Sequence, residues 1–116
     1  MEIAYHFLFN ITTKSSNNLD DSHKIHVLCQ VISKALKTTI LESSSNYFLP
    51  HGVTTYALLS ESHIAIHTWP EKNFMIIDIL TCKKPDSDAI QQIKQRIAEG
   101  YNLKKIELKE EVIRND

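Results

Sequence analysis

Two hydrophobic rhythms alternate along this chain, and the switches between them divide it into elements. Glu2 to Phe9 is apolar enough for a strand, and the polar run Thr12 to Asn18 reads as a loop before Asp20, Asp21 or Ser22 caps a helix. In that helix Ile25, Leu28, Cys29, Ile32 and Leu36 recur at helical spacing, which makes one apolar stripe with Lys24, Lys34 and Lys37 outside it. Thr38 to Glu42 is short and β-branched and predicts a strand, followed by a serine-rich turn at Ser43 to Ser45. Three further strands are predicted at Val53 to Leu59, His63 to Trp69 and Phe74 to Thr81. Pro85, Asp86 and Ser87 supply a second helix start, and Ile90, Ile93 and Ile97 form its apolar face until Gly100 stops it. A last strand is expected at Lys104 to Lys109, with Glu110 to Asp116 frayed.

This order predicts an α+β fold, a two-layer sandwich with both helices on one face of a mostly antiparallel sheet. A chain of 116 residues fits one domain spanning 1–116. With 13 basic and 14 acidic residues spread along it, the chain has no electrostatic footprint for nucleic acid or an anionic membrane. No apolar run approaches the ~20 residues of a bilayer span, and the start lacks the regions of a signal peptide, so a cytoplasmic location is expected. Cys29 and Cys82 suggest no disulfide framework, and reduced thiols follow. The only glycines, Gly52 and Gly100, build neither a dinucleotide fingerprint nor a phosphate loop.

Candidate chemistry concentrates in Glu61-Ser62-His63-Ile64-Ala65-Ile66-His67-Thr68-Trp69-Pro70-Glu71 and, downstream, Asp78-Ile79-Leu80-Thr81-Cys82. A hydroxyl behind a carboxylate residue, an imidazole, an indole and a thiol there interrupt what otherwise reads as plain strand. This stretch resembles the self-processing site of the small prokaryotic S-adenosylmethionine decarboxylases, pyruvoyl enzymes that make their own cofactor by cutting themselves before a serine.

Geometry adds to the resemblance. Taking Pro70 to Phe74 as a hairpin connection and pairing Trp69 with Met75 sets Ser62 opposite Cys82, at ~5 Å between backbones. Ser62 and His67 are then separated by about 16 Å of extended strand, so His67 is not the base for Ser62 of its own chain. Pairing the strands on either side of Ser60 to Ser62 brings Thr54 beside His67. Serine and thiol thus form one cluster, hydroxyl and imidazole another, and a two-fold homodimer that joins one chain's first cluster to the other's second would complete two shared sites.

The resemblance implies that the Ser62 hydroxyl attacks the Glu61 carbonyl, that the resulting ester is eliminated, and that fragments 1–61 and 62–116 result, the second blocked by a pyruvoyl group. A substrate amine condenses with that ketone, which takes up the electrons released with CO₂. No metal or dissociable cofactor is required. By the same resemblance His67 serves processing, Thr54 steadies the oxyanion at Glu61, and Cys82 reprotonates the substrate carbon. Phe48 and Trp69 match adenine-stacking positions and Glu71 a ribose-binding carboxylate. The implied substrate is S-adenosylmethionine, the source of aminopropyl donor for spermidine and other polyamines.

The chain departs from the family at several positions. The family's Gly-Val-Ser-Gly is Gly52-Val53-Thr54-Thr55, its histidine two residues before the aromatic is Asn46, and Lys83 follows Cys82 where glycine is usual. Because these lie near the implied binding residues, two alternatives stay open. One is a pyruvoyl-dependent decarboxylase of a basic amino acid such as arginine or ornithine. The other is an unprocessed, non-catalytic paralogue. His23 and His26 share a helix face without a Cys or carboxylate partner, so they read as exposed residues rather than zinc ligands. His63 reads as orienting the site, and His51 stands where the family varies.

Overall fold

In the computed structural model, which describes residues 1–116, the elements follow the order β1 (Glu2–Thr13), α1 (Ser22–Ala35), β2 (Ile40–Tyr47), β3 (Val53–Leu59), β4 (Ser62–Trp69), β5 (Phe74–Thr81), α2 (Ser87–Gly100) and β6 (Leu103–Arg114). The strands form one sheet in the order β2-β3-β4-β5-β1-β6, and every neighbouring pair is antiparallel. Alternation decides which face is dry. Phe7, Phe9 and Ile11 of β1, Val53 and Ala57 of β3, Ile64 and Ile66 of β4, and Met75, Ile77 and Ile79 of β5 point to one side. There they join Ile25, Leu28, Cys29 and Ile32 of α1 and Ile90, Ile93 and Ile97 of α2 in a single core cluster. The α+β two-layer sandwich expected from the sequence is the observed architecture.

Both helices begin on aspartates. Asp21 accepts the Lys24 N–H at 3.1 Å, and Asp86 accepts the Ala89 N–H at 3.0 Å, each satisfying an otherwise unpaired helix-start donor. Burial lifts the Cys29 thiol to about 11, so that cysteine is an inert part of the stripe.

Four expectations are corrected. The first strand runs past Phe9 to Thr13, because Ile11 and Thr13 continue the inward alternation and Thr12 pairs with Phe74. Ser43 to Ser45 is not a turn but the middle of β2, paired with Ala57 to Thr55. A sheet edge tolerates such polar residues because one side of the strand meets water. The tail from Glu110 is not frayed either: β6 pairs with β1 as far as Glu2↔Arg114, and the Asn115 N–H bonds the Met1 carbonyl at 2.9 Å. Finally, Trp69 pairs with Phe74 rather than Met75. Pro70–Lys72 make one 3₁₀ turn and Asn73 takes a left-handed conformation (φ 50°), closing the hairpin one residue earlier than expected.

Candidate functional site

The register moves Ser62 opposite Thr81, so Cys82 is displaced by one position from the partner expected for it. Its main chain instead faces the preceding residue: the Cys82 N–H donates to the Glu61 carbonyl oxygen at 3.1 Å. The Glu61–Ser62 peptide therefore carries a hydrogen-bond donor on the oxygen that would become negative if a nucleophile attacked Glu61. Ser60 and Glu61 alone connect β3 to β4, with Leu59 paired to Ser62. Ser62 leaves this tight turn with φ 142°, a region that suits glycine and strains a residue with a side chain. The Glu61 Oε2 atom is buried without a hydrogen-bond partner, a second unfavourable feature at the same junction. Cys82 itself is exposed, with its thiol free.

At the far end of β4 the expected pairing of Thr54 with His67 is present, and Thr54 Oγ1 lies 3.1 Å from His67 Nδ1. Asn46 pairs with Thr54 from β2, so Asn46, Thr54 and His67 stand in one row on the helix-free face. Thr55, the β-branched departure from the family pattern, points the other way. It is fully buried, and its hydroxyl bonds Ser45 Oγ at 2.8 Å, so its bulk does not enter the His67 row.

Aromatic groups extend this end. His67 and Trp69 have ring centroids 6.2 Å apart, and Trp69 and Phe74 5.9 Å. Glu71 is exposed in the 3₁₀ turn immediately after Trp69. Phe48 is half exposed in the β2–β3 connection, which opens at the same sheet end because Val53 follows it and is hydrogen-bonded through its N–H to Thr68 Oγ1 at 2.9 Å.

The structure thus brings Ser62, Glu61 and Cys82 together at one end of β4, and Thr54, His67, Trp69 and Asn46 at the other. It does not bring the two groups together within one chain. Between them, His6 Nε2 and His63 Nε2 flank the Asp78 carboxylate, the latter at 3.9 Å, on the helix-free face. The same face carries exposed Tyr56 and Leu58 and half-buried Leu8, Ile76 and Leu80. His23 lines a separate cleft of about 430 Å³ between α1 and α2, while His26 is half-buried rather than exposed.

Two contributors escaped the sequence reading. The Cys82 N–H is a backbone group, which no residue type announces. Asp20, first considered as a helix cap, instead accepts the Gly52 N–H at 2.8 Å and the Tyr47 hydroxyl at 2.8 Å. The Gly52 N–H, with Tyr47 and His51, holds the Asp20 carboxyl below its ordinary range.

A family model described as S-adenosylmethionine decarboxylase matches residues 5–111. The S-adenosylmethionine decarboxylase proenzyme of Prochlorococcus marinus (strain MIT 9211) is 34% identical over 105 residues, 88% of this chain and 86% of that one. The proenzyme of the same name from Methanococcus maripaludis is 36% identical over 97 residues, 81% of this chain and 79% of that one. Among solved structures, the crystal structure of the adenosylmethionine decarboxylase from Aquifex aeolicus VF5 superposes with a TM-score of 0.80 at 27% identity, covering 99% of this chain and 96% of that one.

Proposed function

The chain belongs to the S-adenosylmethionine decarboxylase family, and on that premise we propose that it cuts itself between Glu61 and Ser62 and decarboxylates S-adenosylmethionine with a pyruvoyl group made from Ser62. The decarboxylase activity is that of the family, and it supplies the aminopropyl donor of polyamine synthesis. None of the relatives described above is named for arginine or ornithine, and no observation favours either alternative substrate or a non-catalytic role. The observation that carries the self-processing reading is the Glu61–Ser62 junction, where a strained serine follows a carbonyl already hydrogen-bonded by the Cys82 N–H.

The chemistry follows from those groups. The Ser62 Oγ attacks the Glu61 carbonyl carbon, and the Cys82 N–H stabilises the oxyanion that forms. The C–N bond then breaks, nitrogen takes the hydroxyl proton, and an ester joins Glu61 to Ser62. Removal of the Ser62 α-proton expels the Glu61 carboxylate, which separates fragment 1–61 from fragment 62–116. The remaining enamine tautomerises, and water releases ammonia and leaves a ketone. The strained φ at Ser62 favours this sequence because the attack releases a conformation that only glycine holds without cost. Once formed, the pyruvoyl group supplies an electron sink for the pair left by departing CO₂.

The base for the α-proton belongs to the second cluster. Its separation from Ser62 by the length of β4 supports a homodimer in which His67 of the partner subunit, held by the partner's Thr54, approaches Ser62. The helix-free sheet face, with Leu58 and Tyr56 exposed on it, is the surface we assign to that contact. In this arrangement the partner's Thr54 arrives with His67 and steadies the oxyanion at Glu61 together with the Cys82 N–H. Phe48 and Trp69 stack on the adenine of the substrate, Glu71 receives its ribose hydroxyls, and the Cys82 thiol returns a proton to the substrate carbon. No helix is long and apolar enough to cross a membrane. We place the chain in the cytoplasm, where an exposed thiol that must donate a proton stays reduced.

The test is the mass of the purified chain. Two fragments divided between Glu61 and Ser62, the second lacking a free amine and reacting with a hydrazine, are expected, whereas Ser62→Ala stays whole. A folded wild-type chain that remains intact on prolonged incubation would overturn the reading.

A further inference from the structure

We propose that Asp20 is a positioning residue that fixes the Phe48 side of the substrate site, an inference that rests on the reading above that Phe48 stacks on the substrate. Asp20 lies in the connection between β1 and α1, far in sequence from every residue assigned to the chemistry. Its carboxylate nevertheless spans both ends of the β2–β3 connection. Oδ1 accepts the Gly52 N–H at 2.8 Å, Oδ2 accepts the Tyr47 hydroxyl at 2.8 Å, and His51 Nδ1 lies 3.4 Å from Oδ2. Tyr47, His51 and Gly52 bracket Phe48 on both sides.

The connection has little else to hold it. Leu49 is 88% exposed and Phe48 49%, so neither is anchored by core packing. The remaining ties are the Phe48 N–H to the Gly52 carbonyl at 2.8 Å and the seat of Gly52 itself. Gly52 has φ 115°, and a Cβ there would sit 3.2 Å from the Thr68 carbonyl oxygen, so the backbone presses against the residue before Trp69. Asp20 thus closes a clamp on Gly52 whose other jaw is β4, at the residue preceding Trp69. Asp20 makes no hydrogen bond to Ser62, Cys82, Thr54 or His67, so its effect on substrate passes through the loop. A loop that visits its binding-competent position less often raises the apparent dissociation constant by the inverse of the competent fraction and leaves the chemical step alone.

The experiment uses the full chain, wild type and Asp20→Ala, Asp20→Asn and Phe48→Ala. Three quantities are read: CO₂ release from S-adenosylmethionine, the extent of cutting by mass, and amide hydrogen exchange at Phe48 and Gly52. Asp20→Ala is expected to raise KM about tenfold, the factor for a competent fraction reduced to about one tenth. Its kcat per cut chain and its rate of cutting should stay within about twofold of wild type. Exchange at Phe48 and Gly52 should quicken while exchange across Val53–Leu59 does not. Asp20→Asn keeps an acceptor for the Gly52 N–H and should restore KM to within about threefold of wild type.

An unchanged KM in Asp20→Ala, a fall in kcat with KM constant, or an Asn variant as impaired as Ala each overturns the assignment. Should Asp20→Ala fail to fold, Tyr47→Phe removes one tie alone and must raise KM with quicker Gly52 exchange, or the assignment fails. Phe48→Ala separates the two levels. If Phe48→Ala raises KM and the Asp20 variants do not, only the Asp20 role is wrong, whereas if Phe48→Ala itself leaves KM unchanged, the stacking role of Phe48 falls and the Asp20 proposal falls with it.

Discussion

Replacing Ser62 by glycine should make the uncut chain more stable than replacing it by alanine, although both remove the same hydroxyl and both abolish cutting. At φ 142° a residue with a Cβ sits in territory that glycine occupies freely. Such a conformation costs about 1–3 kcal/mol. Glycine gives back about 0.5–1 kcal/mol through the greater freedom of its unfolded chain. The difference leaves the glycine variant ahead by about 1 kcal/mol, which in a domain of this size corresponds to a rise in Tm of about 3–6 °C. Alanine is the right reference because it keeps the Cβ and hence the strain, and because neither variant is confused by self-cleavage. Thermal unfolding followed by circular dichroism at one protein concentration, with denaturant midpoints as a second measure, decides the matter. A glycine variant that melts at or below the alanine variant would show that the junction is relaxed, and the role given to strain in the cutting step would be withdrawn.

Cys82→Ala retains the backbone N–H that meets the Glu61 carbonyl and should therefore cut at close to the wild-type rate. Loss of the proposed proton donor should lower turnover about a hundredfold or more, and a folded variant that stays uncut would refute this division between main chain and side chain. Acid provides a further check. The Asp20 carboxyl is held below its ordinary value chiefly by the Gly52 N–H, so its stabilising contribution is complete above the unfolded value of about 3.9 and disappears as pH falls through the lower folded value. The stability difference between wild type and Asp20→Asn should accordingly shrink as pH falls below about 4, measured by denaturant titration at each pH, and a difference independent of pH contradicts it.

Much of the fold was legible because alternation and helical spacing are properties of residue type. β3 and β5 lie where Val53 to Leu59 and Phe74 to Thr81 were read, and all five residues of the first helix stripe are buried. Edges were less legible: the polar residues of β2 and of the end of β6 look like turn and tail, since a strand with one wet side has no need of apolar character. The hairpin register, by contrast, is encoded in the order of inward-facing residues. Pairing Trp69 with Met75 would have set Ile66, which faces the core, opposite Asp78, which does not, whereas the observed register matches Ile66 with Ile77 and Ile64 with Ile79. Because a slip of one residue reverses every face, demanding that inward residues meet would have selected the shorter turn. At the site, the Thr54–His67 pair followed from counting along a two-residue turn, but the Cys82 N–H and the Asp20 clamp did not. Both depend on where the backbone runs in space, and neither alters a local pattern.

The order of strands has a consequence for the life history of the molecule. β1, β2 and β3 precede the Glu61–Ser62 bond proposed to be cut and β4, β5 and β6 follow it, yet in the sheet they alternate as β2-β3, then β4-β5, then β1, then β6. Each piece is stitched to the other along the β3/β4, β5/β1 and β1/β6 seams, so opening one peptide bond removes the covalent thread and leaves every seam intact. Halves severed at that bond would remain interlocked, unable to drift apart without dismantling the sheet on both flanks of β1. If they are pulled apart, however, recovery requires an encounter between two separate molecules, dependent on concentration, where the first folding needed only one. The cut proposed above would therefore leave an assembly that is folded once, as a single thread, and afterwards persists or is lost.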